Sequence, residues 1–200
     1  MKTEKFFTGA NKGCYEYLLV ANPGKEVNEK VMAEKQFFYD EYKEKIGVKS
    51  KPQITIASFL AKEEMENTII RWMQRICSRQ QSFFVTLNNY GGFPPHTIYL
   101  RIQDEAPFRQ LAKELSVVNA YVSSCSCPPM VLLPKPHVSI AGSLPEETFF
   151  KALTQYAHKS FHESFLVNEL LLLKRKDEYD TSKPLIVFAL QPAIDELAIQ

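Results

Sequence analysis

Apolar positions change their period along this chain, and each change predicts an element. "YEYLLVAN" (15–22) is a run of aromatic and aliphatic residues and predicts a strand. From Asn28 to Lys45 the period lengthens, with Val31, Phe38 and Tyr42 marking a helix. "QITIASF" (53–59) returns to β-branched alternation, and Pro52 ahead of it is tolerated where a strand begins. Met65, Ile69, Trp72, Met73 and Ile76 then predict a second helix. "SFFVTLNNY" (82–90) and "HTIYLRI" (96–102) flank the turn-rich "GGFPP" and predict a hairpin. Phe108, Leu111, Ala112, Leu115 and Val118 mark a further helix, and "AYVSS" (120–124) reads as a short strand. "HVSIAGS" (137–143) is another strand. It precedes a helix carrying Phe149, Leu153, Tyr156 and Ala157, opened by a Ser143–Glu146 capping box with Pro145 in its first turn. "SFLVNELLLLKR" (164–175) and "PLIVFAL" (184–190) form a second hairpin around a polar loop.

One heptapeptide occurs twice. "KPQITIA" (51–57) returns as "KPHVSIA" (135–141), an offset of 84 residues. At that offset Leu60 meets Leu144, Glu63 meets Glu147, Ile69 meets Leu153 and Trp72 meets Tyr156, which points to duplication. Two copies predict a pair of lobes. The expected fold is α+β: two similar lobes related by a pseudo-twofold, with antiparallel sheets, helices packed outside and a central cleft. A single bilobal domain spans 1–200, with lobe 1 at about 15–103 and lobe 2 at about 104–200.

Side chains alternate across a strand, so each copy has two faces. Ile54 and Ile56, like Val138 and Ile140, should meet the helices. The other face then carries Gln53, Thr55 and Ala57 in one copy and His137, Ser139 and Ala141 in the other. An imidazole can take or give a proton near neutrality, and a hydroxyl two residues on can hold a phosphate oxygen. Two such pairs across a cleft suit phosphodiester chemistry. Lys51 and Lys135, two residues ahead of each pair, are candidate cleft-lining cations.

These motifs resemble those of the 2H phosphoesterase superfamily, which includes the bacterial 2′-5′ RNA ligase-like proteins and the cyclic nucleotide phosphodiesterases. Its hallmark is an H-x-[ST]-hydrophobic motif in each lobe. His137-Val138-Ser139-Ile140 matches it fully; Gln53-Ile54-Thr55-Ile56 departs at the histidine. The resemblance covers about residues 15–190. It implies a cleft for a small cyclic or 2′-5′ phosphodiester of a nucleotide or RNA end, metal-independent chemistry with no cofactor, His137 as acid or base, and Thr55 and Ser139 on the phosphate. Gln53 can hold a phosphate or a water, but it cannot shuttle a proton. Two outcomes stay open: an enzyme of reduced or altered activity, and a non-catalytic nucleotide or RNA-end binding module using the same cleft. A protein interface on the polar face is a third.

Composition narrows the partners. Twenty-four basic and 23 acidic residues leave a net charge of +1, too even for a long nucleic-acid backbone. The N-terminus has no apolar signal core, and the greasiest run, Phe165–Leu173, is interrupted by Asn168 and Glu169, so a cytoplasmic monomer is expected, with no membrane partner. Cys14, Cys77, Cys125 and Cys127 lack the spacing of a metal finger and are expected to be reduced structural residues. His96 is expected at the cleft rim, His158 and His162 in a solvated helix end, and Tyr90 or Phe93 where either can stack on a base.

Overall fold

The computed structural model describes residues 13–44, 50–176 and 180–193. Its strands are β1 (Cys14–Ala21), β2 (Ile54–Lys62), β3 (Phe83–Phe93), β4 (Thr97–Ile102), β5 (Val131–Leu132), β6 (His137–Ala141), β7 (His162–Val167), β8 (Glu169–Arg175) and β9 (Lys183–Ala189). Its helices are α1 (Lys25–Tyr42), α2 (Glu66–Cys77), α3 (Ala106–Glu114), α4 (Ser116–Ser124) and α5 (Glu146–Tyr156). The fold is α+β, as expected.

The strand order is β7-β3-β4-β6-β2-β1-β8-β9, with β5 on the outer part of β2, and the pairings are antiparallel. Strands β6 and β2, the two copies of the repeat, lie side by side at its centre and pair at Ile54↔Val138. Only Asn168 separates β7 from β8, yet five strands lie between them in the sheet. A flat sheet cannot satisfy that connection. It must curl until its far strands approach, and the curl gives it a concave face. Gln81, just before β3, also bridges Gln191, just after β9.

Helices α1 and α5 pack on the β7-β3-β4-β6 half, and α2 and α3 on the β2-β1-β8-β9 half. The core between them is continuous, from Tyr17, Ile54 and Phe59 to Val138, Phe149 and Phe188. Ile54 and Val138 are fully buried at the seam, and each such side chain stabilises the fold by ~1.5–3 kcal/mol.

The two halves are not consecutive stretches of chain. Strands β3 and β4 sit beside β6 and β7, while β8 and β9 return to β1. A division at about 103/104 therefore does not follow the sheet: each half takes strands from both copies. Three local expectations also change. "AYVSS" belongs to α4, because Val118 and Val122, one helical turn apart, are both buried. "SFLVNELLLLKR" breaks at Asn168 into strands of opposite halves. Helix α5 starts at Glu146 with Pro145 as its N-cap residue and no side-chain cap; Ser143 has φ 55° and stands off the helix.

Candidate active site

Both copies of the repeat carry the same irregularity. Leu19 pairs with Ala57 and the next residue, Val20, with Thr55, so Ile56 is an extra residue in β2. Ile98 pairs with Ala141 and Tyr99 with Ser139, so Ile140 is an extra residue in β6. Each is a β-bulge, and a bulge re-aims the side chains that follow it. Strict alternation would put Ala57 and Ala141 on the polar face. The bulges turn both into the core, where Ala57 is fully buried and Ala141 nearly so. Ahead of the bulge each strand keeps two polar positions on the concave face: Gln53 and Thr55 in one, His137 and Ser139 in the other.

The register brings these four together. With Ile54 opposite Val138, antiparallel pairing sets Thr55 beside His137 and Gln53 beside Ser139, on one face. On the other flank of β6, Tyr99 is opposite Ser139 and Arg101 opposite His137. His137, Gln53 and Thr55 are half-buried, and Ser139 and Arg101 are exposed.

His137 is held from two sides. Its Nδ1 lies 2.8 Å from the carbonyl oxygen of Lys135. A carbonyl only accepts, so Nδ1 carries the proton and the lone pair of the neutral ring is on Nε2. The ring also meets Phe93 edge-on at 4.9 Å and Tyr99 at 5.1 Å between centroids. Phe93 and Tyr99 stack at 4.2 Å, and the Lys135 ammonium lies 5.6 Å and 5.5 Å from their centroids. Burial lowers the His137 pKa from its usual value of 6.5; the Lys135 carbonyl opposes this, and the Lys135 charge adds to it. The imidazole is thereby biased towards its neutral, basic form at pH 7.

Glycine makes the aromatic wall possible. Gly91 pairs with Tyr99 across β3 and β4. A Cβ on Gly91 would lie 2.8 Å from Tyr99 Cζ, so the ring covers the space a side chain would need. A Cβ on the neighbouring Gly92 would instead strike Phe149 at 2.9 Å and Leu153 at 3.0 Å, on the helix side.

Lys51 precedes Gln53 as Lys135 precedes His137, and the remaining candidates lie elsewhere. Lys51 is exposed ahead of β2. His96 is tied by Nδ1 to the Leu144 carbonyl at 3.2 Å, beside the start of α5. His158 lies in the turn after α5, but His162 opens β7 opposite Asn88 and is not part of a helix end. Tyr90 faces the core and meets Tyr156 edge-on at 4.7 Å, which leaves Phe93 as the exposed-face aromatic of that loop. Among the described residues no cluster of His, Cys, Asp and Glu has the arrangement of a metal site, and no helix is long and apolar enough to cross a membrane. A groove of about 460 Å³ between α2, α3 and α4, lined by Trp72, Arg75, Arg79 and Glu114, holds none of the motif residues Gln53, Thr55, His137 and Ser139. Tyr99 and Arg101 were missed in the sequence because they lie on a strand with no motif of its own.

The backbone is similar to that of several solved structures. E. coli LigT in complex with 3′-AMP superposes with a TM-score of 0.66 at 17% identity, over 88% of this chain and 98% of that one. TT0787 of Thermus thermophilus gives 0.65 at 16% identity, over 88% and 98%. A further structure, described as a phosphoesterase, gives 0.65 at 18% identity, over 88% and 98%. At these identities the likeness is one of fold. No curated protein matches the sequence. The sequence profile of the 2′-5′ RNA ligase superfamily, however, matches residues 36–178, a stretch that includes both motif strands, β3, β4 and the Phe93–Tyr99 wall. Profile, fold and paired motifs agree: the chain belongs to the 2′-5′ RNA ligase superfamily, the 2H phosphoesterases.

Proposed function

We propose that the concave face binds the phosphate of a small nucleotide or RNA end, and that His137 drives slow hydrolysis of a 2′,3′-cyclic or 2′-5′ phosphodiester. The single observation that carries this is the Lys135 carbonyl bond to His137 Nδ1, which commits Nε2 to accepting a proton. In this scheme Nε2 takes a proton from the attacking water as the water oxygen bonds to phosphorus. The P–O bond to one ribose oxygen breaks, and that oxygen is protonated from solvent. Thr55 and Ser139 donate to the non-bridging oxygens. Gln53 stands in the motif position of the other histidine and orients the water or the phosphate without ionising. Lacking one proton shuttle typically costs about 10²–10⁴-fold in rate, so reduced turnover is expected. The complexes of E. coli LigT with 3′-AMP, phosphate and ATP support a small phosphorylated ligand.

A second reading is a binding module that has given up catalysis, favoured by the non-ionising Gln53. A phosphorus NMR time course with a 2′,3′-cyclic nucleotide separates the two. Slow conversion by the parent that His137→Ala abolishes supports the enzyme. Conversion that survives His137→Ala overturns the mechanism. Line broadening without conversion supports the module.

A further inference from the structure

One charged side chain on the concave face has no part in that scheme. Arg101 is opposite His137 in the β4–β6 ladder, on the flank away from Thr55. Directly opposed residues of an antiparallel pair share a face, with Cα atoms ~4.5–5.5 Å apart. Arg101 is exposed, and its side chain makes no hydrogen bond or ion pair among the described residues. Elsewhere Arg109 pairs with Glu105 and Arg175 with Glu16. The six positions that face the cleft from β4, β6 and the start of β2 are Tyr99, Arg101, His137, Ser139, Gln53 and Thr55. None is acidic. Lys135 adds a second cation, held over the Phe93 and Tyr99 rings.

The ligand's charge should match this surface. A guanidinium stays protonated at any physiological pH and offers a planar fork of donors that fits two phosphate oxygens. An ammonium supplies the second charge as a point. A cyclic or linear phosphodiester carries one negative charge. A terminal phosphomonoester, with a second pKa near ~6, carries close to two at neutral pH. Two cations with no carboxylate among these six positions favour the dianion.

We propose that Arg101 is a specificity-determining residue, and that with Lys135 it makes this face hold a terminal 2′- or 3′-phosphomonoester more tightly than the cyclic diester. The inference rests on the phosphate-binding reading above. It names the ligand class as a nucleotide or RNA end already bearing a terminal phosphate. It also implies that hydrolysis of a cyclic end would leave its product on the protein.

The test is isothermal titration of the parent, Arg101→Ala and Arg101→Lys with 2′-AMP, 3′-AMP and 2′,3′-cyclic AMP. Melting curves for each variant check folding, and the exposed position makes loss of fold unexpected. The parent should bind at least one monoester about tenfold or more tighter than the cyclic form. Arg101→Ala should weaken the monoesters about 10–100-fold, the range for charge-assisted hydrogen bonds, and the cyclic nucleotide much less. Arg101→Lys should fall between, keeping charge without the fork. Equal losses for all three ligands, or none, overturn the role of Arg101 while leaving the phosphate-binding reading intact. A parent that binds none of the three overturns that reading too.

Discussion

Strands β2 and β6 are built alike and equipped differently. Each places an isoleucine in a bulge, Ile56 and Ile140. Each sends the next alanine into the core and leaves two polar side chains on the concave face. The flanks differ. On the β2 side Thr55 is opposite Val20, which is fully buried and has nothing to offer a ligand. On the β6 side Ser139 and His137 are opposite Tyr99 and Arg101. The strand with the histidine thus also has the aromatic wall and the guanidinium, while Thr55 on the other strand has aliphatic Val20 beside it. Backbone symmetry was kept and chemical symmetry was not. Of the four motif positions, the one ionisable side chain, His137, stands on the β6 strand.

Restoring the missing group tests this contrast most directly. Gln53→His should raise turnover of a 2′,3′-cyclic nucleotide by about 10²–10⁴-fold if the β2 half is otherwise intact. No gain, with retained binding, would mean the β2 half cannot support a proton shuttle. Initial rates by phosphorus NMR decide between these.

Hydroxyl removal asks whether the halves share the phosphate. Thr55→Ala and Ser139→Ala should each weaken nucleotide binding by about tenfold, near the low end for a hydrogen bond to a charged group. A Ser139 effect without a Thr55 effect would put the phosphate wholly on the β6 side. Titration calorimetry reads both.

The adjacent glycines split site from core. Gly92→Ala drives a methyl into Phe149 and Leu153 and should cost about 1–3 kcal/mol in denaturant unfolding, as overpacking does. Gly91→Ala meets only the far end of the Tyr99 ring, so it should cost less stability but displace the wall against His137 and weaken ligand binding. If Gly91→Ala left ligand binding unchanged, the Tyr99 ring would not be what positions His137.

The smallest effect is that of pH. His137 has a folded-state pKa below its usual 6.5 because of burial. Between those two values the unfolded chain binds more protons than the folded one. The stability contribution is therefore complete above about 6.5 and is lost as pH falls through the folded value. Melting curves should show the parent losing more than His137→Gln on going from about pH 7.5 to about pH 5. Parallel curves would argue against a desolvated imidazole. Any rate that uses His137 as a base should persist below pH 6.5 for the same reason.

Much of this was legible in the chain. The repeat placed Gln53, Thr55, His137 and Ser139 correctly on equivalent strands, because alternation and the 84-residue offset are local signals. Helix α2 and the β3–β4 hairpin followed from spacing and turn residues. "AYVSS" misled because β-branched and aromatic residues also fit a buried helix face. Ala57 and Ala141 misled because alternation assumes an unbroken pleat. Arg101 and Tyr99 could not have been found, since their importance comes only from standing opposite β6.

Sequence alone settled the duplicated unit, the apolar faces of its strands, and the asymmetry of one histidine against one glutamine. These depend on the order of residues within a single strand or helix. Tertiary structure settled which strands are neighbours: β3 and β4 beside β6, β8 beside β1, and the two motif strands side by side at the centre. It also settled the bulges, because a bulge is a mismatch in count between two strands and neither strand contains it alone. Strand pairing joins residues far apart in the chain. No local pattern encodes it, and the flank that sets His137 between Thr55 and Arg101 existed only once the sheet had closed.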